Sequence, residues 1–146
     1  METVHKTIVQ SAADLLALES ESIDLVVTSP PYPMIEMWDG VFGAQDKAIT
    51  QCIQEGDGFK AFELMHQVLD AVWSECYRVL KPGAFACINI GDATRKVAQG
   101  FRLYTNHSRI TSYCESLGFQ SLPAILWRKQ TNAPNKFMGS GMLPSG

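Results

Sequence analysis

Two adjacent prolines constrain this chain more than anything else in it. The run Asp24-Leu25-Val26-Val27-Thr28 is rich in β-branched side chains and reads as a short buried strand. It passes directly into Ser29-Pro30-Pro31-Tyr32. Each proline fixes its own φ, offers no N–H and pushes the preceding residue into extended geometry. The strand therefore ends in a stiff hook with backbone carbonyls free to face a crevice and an aromatic ring beside them. In open α/β sheets, ligands bind outside the carboxyl ends of the strands. A bare Pro-Pro-Tyr could equally be a plain turn; the strand in front of it makes the signal specific.

Lys6 to Gln10 reads as a short strand, followed by Ser11 as N-cap and a helical turn or two over Ala12 to Leu18. After the hook, residues 33–58 form a long connection, with room for a short helix over 44–55. Such connections are functional or packed back onto the domain, and both readings stand for this one. From Asp57 or Gly58 the apolar residues Phe59, Phe62, Met65, Leu69, Val72, Trp73, Cys76 and Leu80 recur at helical spacing. This is the best helix in the chain, and His66 reads as one of its face residues rather than a catalyst. Lys81-Pro82-Gly83 stops it. Residues 84–90 are apolar on both faces, as in an interior parallel strand, and end in Gly91-Asp92. Residues 93–103 read as a basic loop, Thr105 or Asn106 as the cap of a helix ending at Gly118, and 121–128 as a final strand. Alternating strands and helices predict a Rossmann-like α/β fold, a mostly parallel sheet with helices on both faces. No Gly-x-Gly-x-x-Gly follows a strand, so dinucleotide binding is not indicated.

The chain of 146 residues suits one domain, and no apolar run approaches the roughly 20 residues of a membrane-spanning helix. Its four cysteines lack metal-ligand spacing, so no metal site is expected; Cys76 and Cys87 read as core. None follows a proline, which argues against a covalent cysteine mechanism of the cytosine-C5 methyltransferase kind. The net charge of −3 conceals a division. Residues 1–93 hold 14 acidic and 5 basic side chains, whereas residues 94–146 hold 1 acidic and 7 basic. That asymmetry fits a protein that meets phosphates on one side, and Arg95, Lys96, Arg128, Lys129 and Lys136 are the nucleic-acid candidates. An ordinary solvated face is the alternative.

Thr28-Ser29-Pro30-Pro31-Tyr32, together with Leu80-Lys81-Pro82-Gly83, Ile88-Asn89-Ile90-Gly91-Asp92 and Ile125-Leu126-Trp127-Arg128-Lys129, resembles the amino-group DNA methyltransferases. These enzymes transfer a methyl group from S-adenosyl-L-methionine to cytosine N4 or adenine N6. The Ser form of the hook is the one most often seen in cytosine-N4 enzymes; adenine N6 stays open. The resemblance implies catalytic roles for Ser29, Pro30, Pro31 and Tyr32, and it places Thr28 and Ser29 beside the cofactor. Ser29 and the Pro30 carbonyl would accept hydrogen bonds from the amino group, while Tyr32 stacks on a flipped-out base. Protein glutamine methyltransferases share the hook but carry Asn where this chain has Ser29. The family's first strand usually ends in Gly-Asp, which here is Gln10-Ser11, so no cofactor role is carried there.

The resemblance also implies a permuted order, in which the Phe-x-Gly-x-Gly cofactor motif lies near the C-terminus. That motif is absent from the sequence, and Lys136 to Gly141 reads as loop. The expectation is a single partial catalytic domain over 1–146, in the prokaryotic cytoplasm, with DNA as partner. Self-association or a missing C-terminal half would follow from strands left without neighbours. A catalytically inactive fragment that binds nucleic acid or a partner is the reading from another class.

Overall fold

The computed structural model describes residues 2–98 and 100–127. Strand β1 (Ile23–Thr28) pairs in parallel with β2 (Leu80–Ile88), Thr28 opposite Ile88. A register shift between Ile23 and Leu25 takes up Lys81-Pro82-Gly83, and Gly83 adopts a positive φ of 79° there. Between the strands run a 3-10 turn (Glu36–Trp38), α1 (Asp39–Gln45), α2 (Lys47–Glu55) and α3 (Gly58–Val79). After β2 come a hairpin, β3 (Ala93–Val97) and β4 (Gly100–Tyr104), and then α4 (Asn106–Leu117). The arrangement is α/β, with a parallel pair and a helical crossover, and forms part of a Rossmann-like fold.

Helix α3 is the spine. Asp57 caps it by accepting from the Lys60 N–H at 3.0 Å. Its inner face buries Ala61, Phe62, Met65, Leu69, Trp73 and Cys76. Val26 and Ile88 of the sheet, Phe42, Ile49 and Cys52 of α1 and α2, and Ile110 of α4 close on that face. The connection after the hook is therefore folded back onto the domain. At the end of α4, Gly118 takes a left-handed φ of 112° and its N–H reaches Cys114 and Glu115, closing the helix as its sequence position predicts.

Several expectations fail. Residues 6–10 form no strand, and no strand lies beside them to share a ladder among the described residues. Residues 12–18 form turns instead of a helix. The carbonyls of Leu15 and Leu18 are taken by the Arg78 guanidinium, at 3.0 and 3.1 Å, and Glu75 accepts from the Leu15 N–H at 2.8 Å. Arg78 also donates to Glu75, and with the Leu15 N–H it pushes the Glu75 carboxyl down to about 2. The segment is strapped to α3 by backbone groups that a helix would have needed for itself. Residues 121–127 lack regular structure, with Leu122, Ile125 and Leu126 exposed, and the remainder of that expected strand lies outside the described residues. Residues 93–104 are a hairpin and not a loop: Ala93, Arg95 and Val97 alternate with Thr94 and Lys96, the period of a half-buried strand.

Among the described residues the helices cover one face of the β1–β2 pair. The opposite face carries Leu25, Val27 and Phe85, which are 53%, 73% and 57% exposed, and Cys87 stands there too, outside the core expected for it. Cys76 is buried as expected.

Trp73 is 1% exposed and its Nε1 donor has no partner among the described residues. Trp73→Ala should therefore cost about 3–5 kcal/mol in a urea melt followed by circular dichroism. Trp73→Phe, which removes the unpaired donor with part of the volume, should cost less than about 1.5 kcal/mol.

Candidate active site

The hook stands where the parallel pair ends. The Thr28 carbonyl accepts from the Asn89 N–H at 2.8 Å, the last rung of the ladder, and Ser29 is the first residue beyond it. Pro30 and Pro33 are buried, Pro31 and Tyr32 half-buried, and Ser29 is exposed. The Ser29 hydroxyl lies 3.4 Å from both the Tyr32 hydroxyl and Asn89 Nδ2. Both distances are long for hydrogen bonds, so the hydroxyl is oriented by its neighbours yet free to exchange them for a closer acceptor or donor. The carbonyls of Ser29, Pro30 and Pro31 accept no hydrogen bond among the described residues. The two prolines, for their part, have no N–H to place in a ladder or turn beside them.

After the hook the chain turns sharply. Ile35 N–H closes a turn on the Tyr32 carbonyl at 3.2 Å, and Met34 takes a positive φ of 66° while only 1% exposed. A buried, non-glycine residue in the left-handed region is held there by its surroundings. Its N–H points at the Met65 thioether at 3.3 Å, and its side chain is locked into the core.

One side chain ties the hook to the rest of the site. Asn106, the first residue of α4, is fully buried. Its Nδ2 donates to the Pro33 carbonyl and to the Gly91 carbonyl, both at 3.0 Å, and its Oδ1 accepts from His66 Nε2 at 3.0 Å. Hook, β2 end, α3 and α4 thus converge on one carboxamide. Gly91 lies so close to Tyr32 that a Cβ there would stand 3.4 Å from the ring. His66 is held neutral: burial outweighs the Asn106 hydrogen bond and lowers its pKa to about 4, with Arg109 adding to the fall and Glu63 and Asp70 opposing it. The neutral ring donates through Nε2, and its Nδ1 has no partner among the described residues. Its place confirms His66 as a structural residue of the helix face.

Beside the clasp, Asp92 accepts from the His107 N–H at 3.2 Å and from His107 Nδ1 at 2.8 Å, while Ser108 Oγ lies 3.1 Å from His107 Nε2. Asp92, and not Thr105, supplies the side-chain cap of α4: Thr105 occupies the N-cap position but makes no capping bond. Nothing in the sequence marks the role of Asn106, because an Asn opening a helix looks like any other cap residue.

The nucleic-acid candidates fare unequally. Arg95 is committed to Asp39 through two bonds of 2.7 and 2.6 Å, which raise its pKa, and its side chain is 15% exposed. It fastens β3 to α1 instead of standing free for a phosphate. Lys96 is exposed and has no acidic partner among the described residues. Arg128, Lys129 and Lys136 lie outside the described residues. Arg109, part of the same basic division, is held by Glu63 and Asp70 of α3. The charge asymmetry read along the sequence is thus partly closed across the fold. Thr28 is half-buried, with its carbonyl in the ladder, so the exposed group at the expected cofactor position is the Ser29 hydroxyl. Among the described residues no cluster of His, Cys, Asp or Glu could hold a metal, and no helix is long and apolar enough to cross a membrane.

The model of a family described as DNA methylase matches residues 23–141. The type II methyltransferase M.MthZI of Methanothermobacter thermautotrophicus is 50% identical over 145 residues, which cover 99% of this chain and 41% of that protein. M.MjaI of Methanocaldococcus jannaschii, also a type II methyltransferase, is 50% identical over 153 residues, covering 97% and 50%. The chain thus spans half or less of the length of these curated relatives. A crystal structure of a candidate DNA modification methylase from Thermus thermophilus matches with a TM-score of 0.60 at 26% identity, over 91% of this chain and 60% of that one. The same protein in complex with S-adenosyl-L-methionine gives 0.62 at 31% identity, over 84% and 45%.

The clasp has two measurable consequences. Asn106→Ala leaves the buried Pro33 carbonyl, the half-buried Gly91 carbonyl and the His66 N–H without this partner and should cost about 3 kcal/mol in a urea melt. The unfolded chain protonates His66 near 6.5 and the folded chain only near 4, so the unfolded state binds more protons between those values. Stability from this group is complete above about pH 6.5 and falls as pH drops towards 4, by on the order of 3 kcal/mol in total. Urea midpoints measured between pH 6.5 and 5 should show that slope, and His66→Leu should flatten it whatever its absolute stability.

Proposed function

This chain belongs to the DNA methylase family, and we propose that it carries the amino-group-activating part of a DNA methyltransferase site, with cytosine N4 as the acceptor. The observation that supports this reading is the hook. A hydroxyl and free carbonyls stand together at the carboxyl end of a parallel strand, with no cationic side chain bonded to them among the described residues and an aromatic ring alongside. An exocyclic amino group is a weak nucleophile because its lone pair is delocalised into the ring. Ser29 Oγ and the Pro30 carbonyl accept its two hydrogens, favouring the pyramidal nitrogen and aiming the lone pair away from the ring. These acceptors are preorganised, since the prolines hold the backbone and Asn89 and Tyr32 hold the hydroxyl.

S-adenosyl-L-methionine, when bound, supplies an electrophilic methyl group. An edge of carbonyl and hydroxyl oxygens suits the approach of a cationic sulfonium, and Ser29 and Thr28 are the residues of this chain placed to border it. Tyr32 stacks against the target base, which must leave a duplex to reach the hook. Ser at the first position of the hook favours cytosine N4 over adenine N6.

DNA incubated with the gene product and S-adenosyl-L-methionine, digested to nucleosides and examined by mass spectrometry, should contain N4-methylcytosine. N6-methyladenine alone would overturn the choice of base, and no methylated nucleoside would overturn the activity. Ser29→Ala should lower the single-turnover rate by about 10²-fold, the scale of losing one preorganised hydrogen-bonding group. Tyr32→Ala should weaken binding of DNA carrying a mismatched target base by about tenfold, as expected for one lost stacking contact. Unchanged rates and affinities in both variants would remove the hook from the mechanism.

A further inference from the structure

Helix α3 breaks its own pattern at one point. Phe59 belongs to the apolar stripe by spacing, yet it is 57% exposed, while Phe62 one turn later is buried. What lies over Phe59 is Arg102 of β4, its guanidinium carbon 5.6 Å from the ring centroid. Among the described residues the other three arginines, Arg78, Arg95 and Arg109, each hold a carboxylate. Arg102 holds none, and its stacking partner is aromatic.

The hairpin extends this surface. Cross-strand pairing sets Lys96 opposite Phe101 and Thr94 opposite Leu103. Phe101 and Leu103 are 58% and 55% exposed, and Lys96, on their side of the hairpin and not on that of Arg102, has no acidic partner among the described residues. The hairpin's other side is pressed onto the start of α3, where Gly58 admits Tyr104 and Val97. Between the two elements lie adjoining open concavities of about 280 and 350 Å³, both bordered by Phe59 and Arg102. Asp57 borders the larger, so an anion would be drawn to the Arg102 side and away from the helix cap.

Uncommitted cations alternating with exposed aromatic rings are what a nucleic-acid strand requires: phosphates for the charges and base faces for the rings. An arginine stacked flat can still offer its planar N–H edge to a phosphate. We propose that the groove between the first turn of α3 and β4 is a second DNA-contacting surface, where Phe59 stacks on an unpaired or splayed base, Phe101 borders the groove, and Arg102 engages the adjoining phosphate. The proposal rests on the reading of the chain as a DNA methyltransferase. Phe59 and His66 are seven residues apart on α3, about 10 Å along its axis, so the groove stands about three nucleotide spacings from the clasp behind the hook.

Anisotropy titrations of the gene product with a fluorescent duplex and its single strand, over a series of salt concentrations, separate the two kinds of contact. Phe59→Ala should weaken single-strand binding about tenfold and leave the slope of log affinity against log salt unchanged. Arg102→Gln and Arg102→Ala should each reduce that slope by about 1. Photocrosslinking of the wild-type protein to single strands containing 5-bromodeoxyuridine should label peptides holding Phe59 or Phe101, and this readout does not depend on how any variant folds. Wild-type affinity and slope in all three variants, or crosslinks confined to other peptides, would overturn the surface and leave the DNA reading standing. A wild-type protein that binds neither probe would overturn both.

Discussion

A buried carboxamide holds the candidate site together. Asn106 can donate twice and accept once with no charge to desolvate, and each of those capacities is used on a different element. The two carbonyls it satisfies belong to residues at which regular structure has run out: Pro33 beyond the hook and Gly91 beyond β2. Buried carbonyls of that kind need a donor, and no strand or helix can supply one at the point where two elements diverge. Leucine would fill the volume and strand all three partners. Aspartate would keep the shape but lose the two donations. His66 completes the arrangement because burial keeps it neutral and able to donate through Nε2.

The elements legible in the sequence are those whose signals are local. β1 and the hook announce themselves through β-branched residues and prolines, α3 through a stripe five turns long, and α4 through its terminal glycine. The expectations that failed depended on partners distant in sequence. Lys6 to Gln10 looks like a strand, but a strand exists only beside another. Ala12 to Leu18 looks like a helix until Arg78, some sixty residues on, takes its carbonyls. Asn106 is visible as a residue and invisible as a clasp, because nothing in a linear pattern says which carbonyls lie three ångströms away. The basic stretch after residue 94 misleads for a related reason: Arg95 and Arg109 look like free charges in the sequence, while their acids, Asp39, Glu63 and Asp70, lie far back along the chain.

Ion pairing sorts the cations into two kinds of work. Arg78, Arg95 and Arg109 are bidentate or multiply bonded and partly buried, the setting in which a guanidinium contributes geometry as well as charge. They join the N-terminal segment to α3, β3 to α1, and α4 to α3. Lys96 and Arg102 remain outside this structural set, on a hairpin whose inner side is packed and whose outer side is apolar. The family's chemistry needs a rigid hook, and the fold spends most of its arginines on rigidity.

The β1–β2 pairing bears on when the hook comes into being. Ile23 meets Leu80 and Thr28 meets Ile88, so the two strands can find each other only after the whole intervening helical segment has closed into a loop. Closing a loop of that length carries a chain-entropy cost that local helices avoid, and parallel pairings of high sequence separation are slow to form. α3 and the short helices packed on it have local contacts and can assemble first; the ladder waits for them. Ser29-Pro30-Pro31-Tyr32 is stiff as a peptide, yet its placement depends on the last contacts to be made. A nascent chain would therefore hold the apolar strand Leu25-Val26-Val27 unpaired until Ile88 has emerged, and the interval during synthesis when this protein is most open to wrong partners is set by that wait.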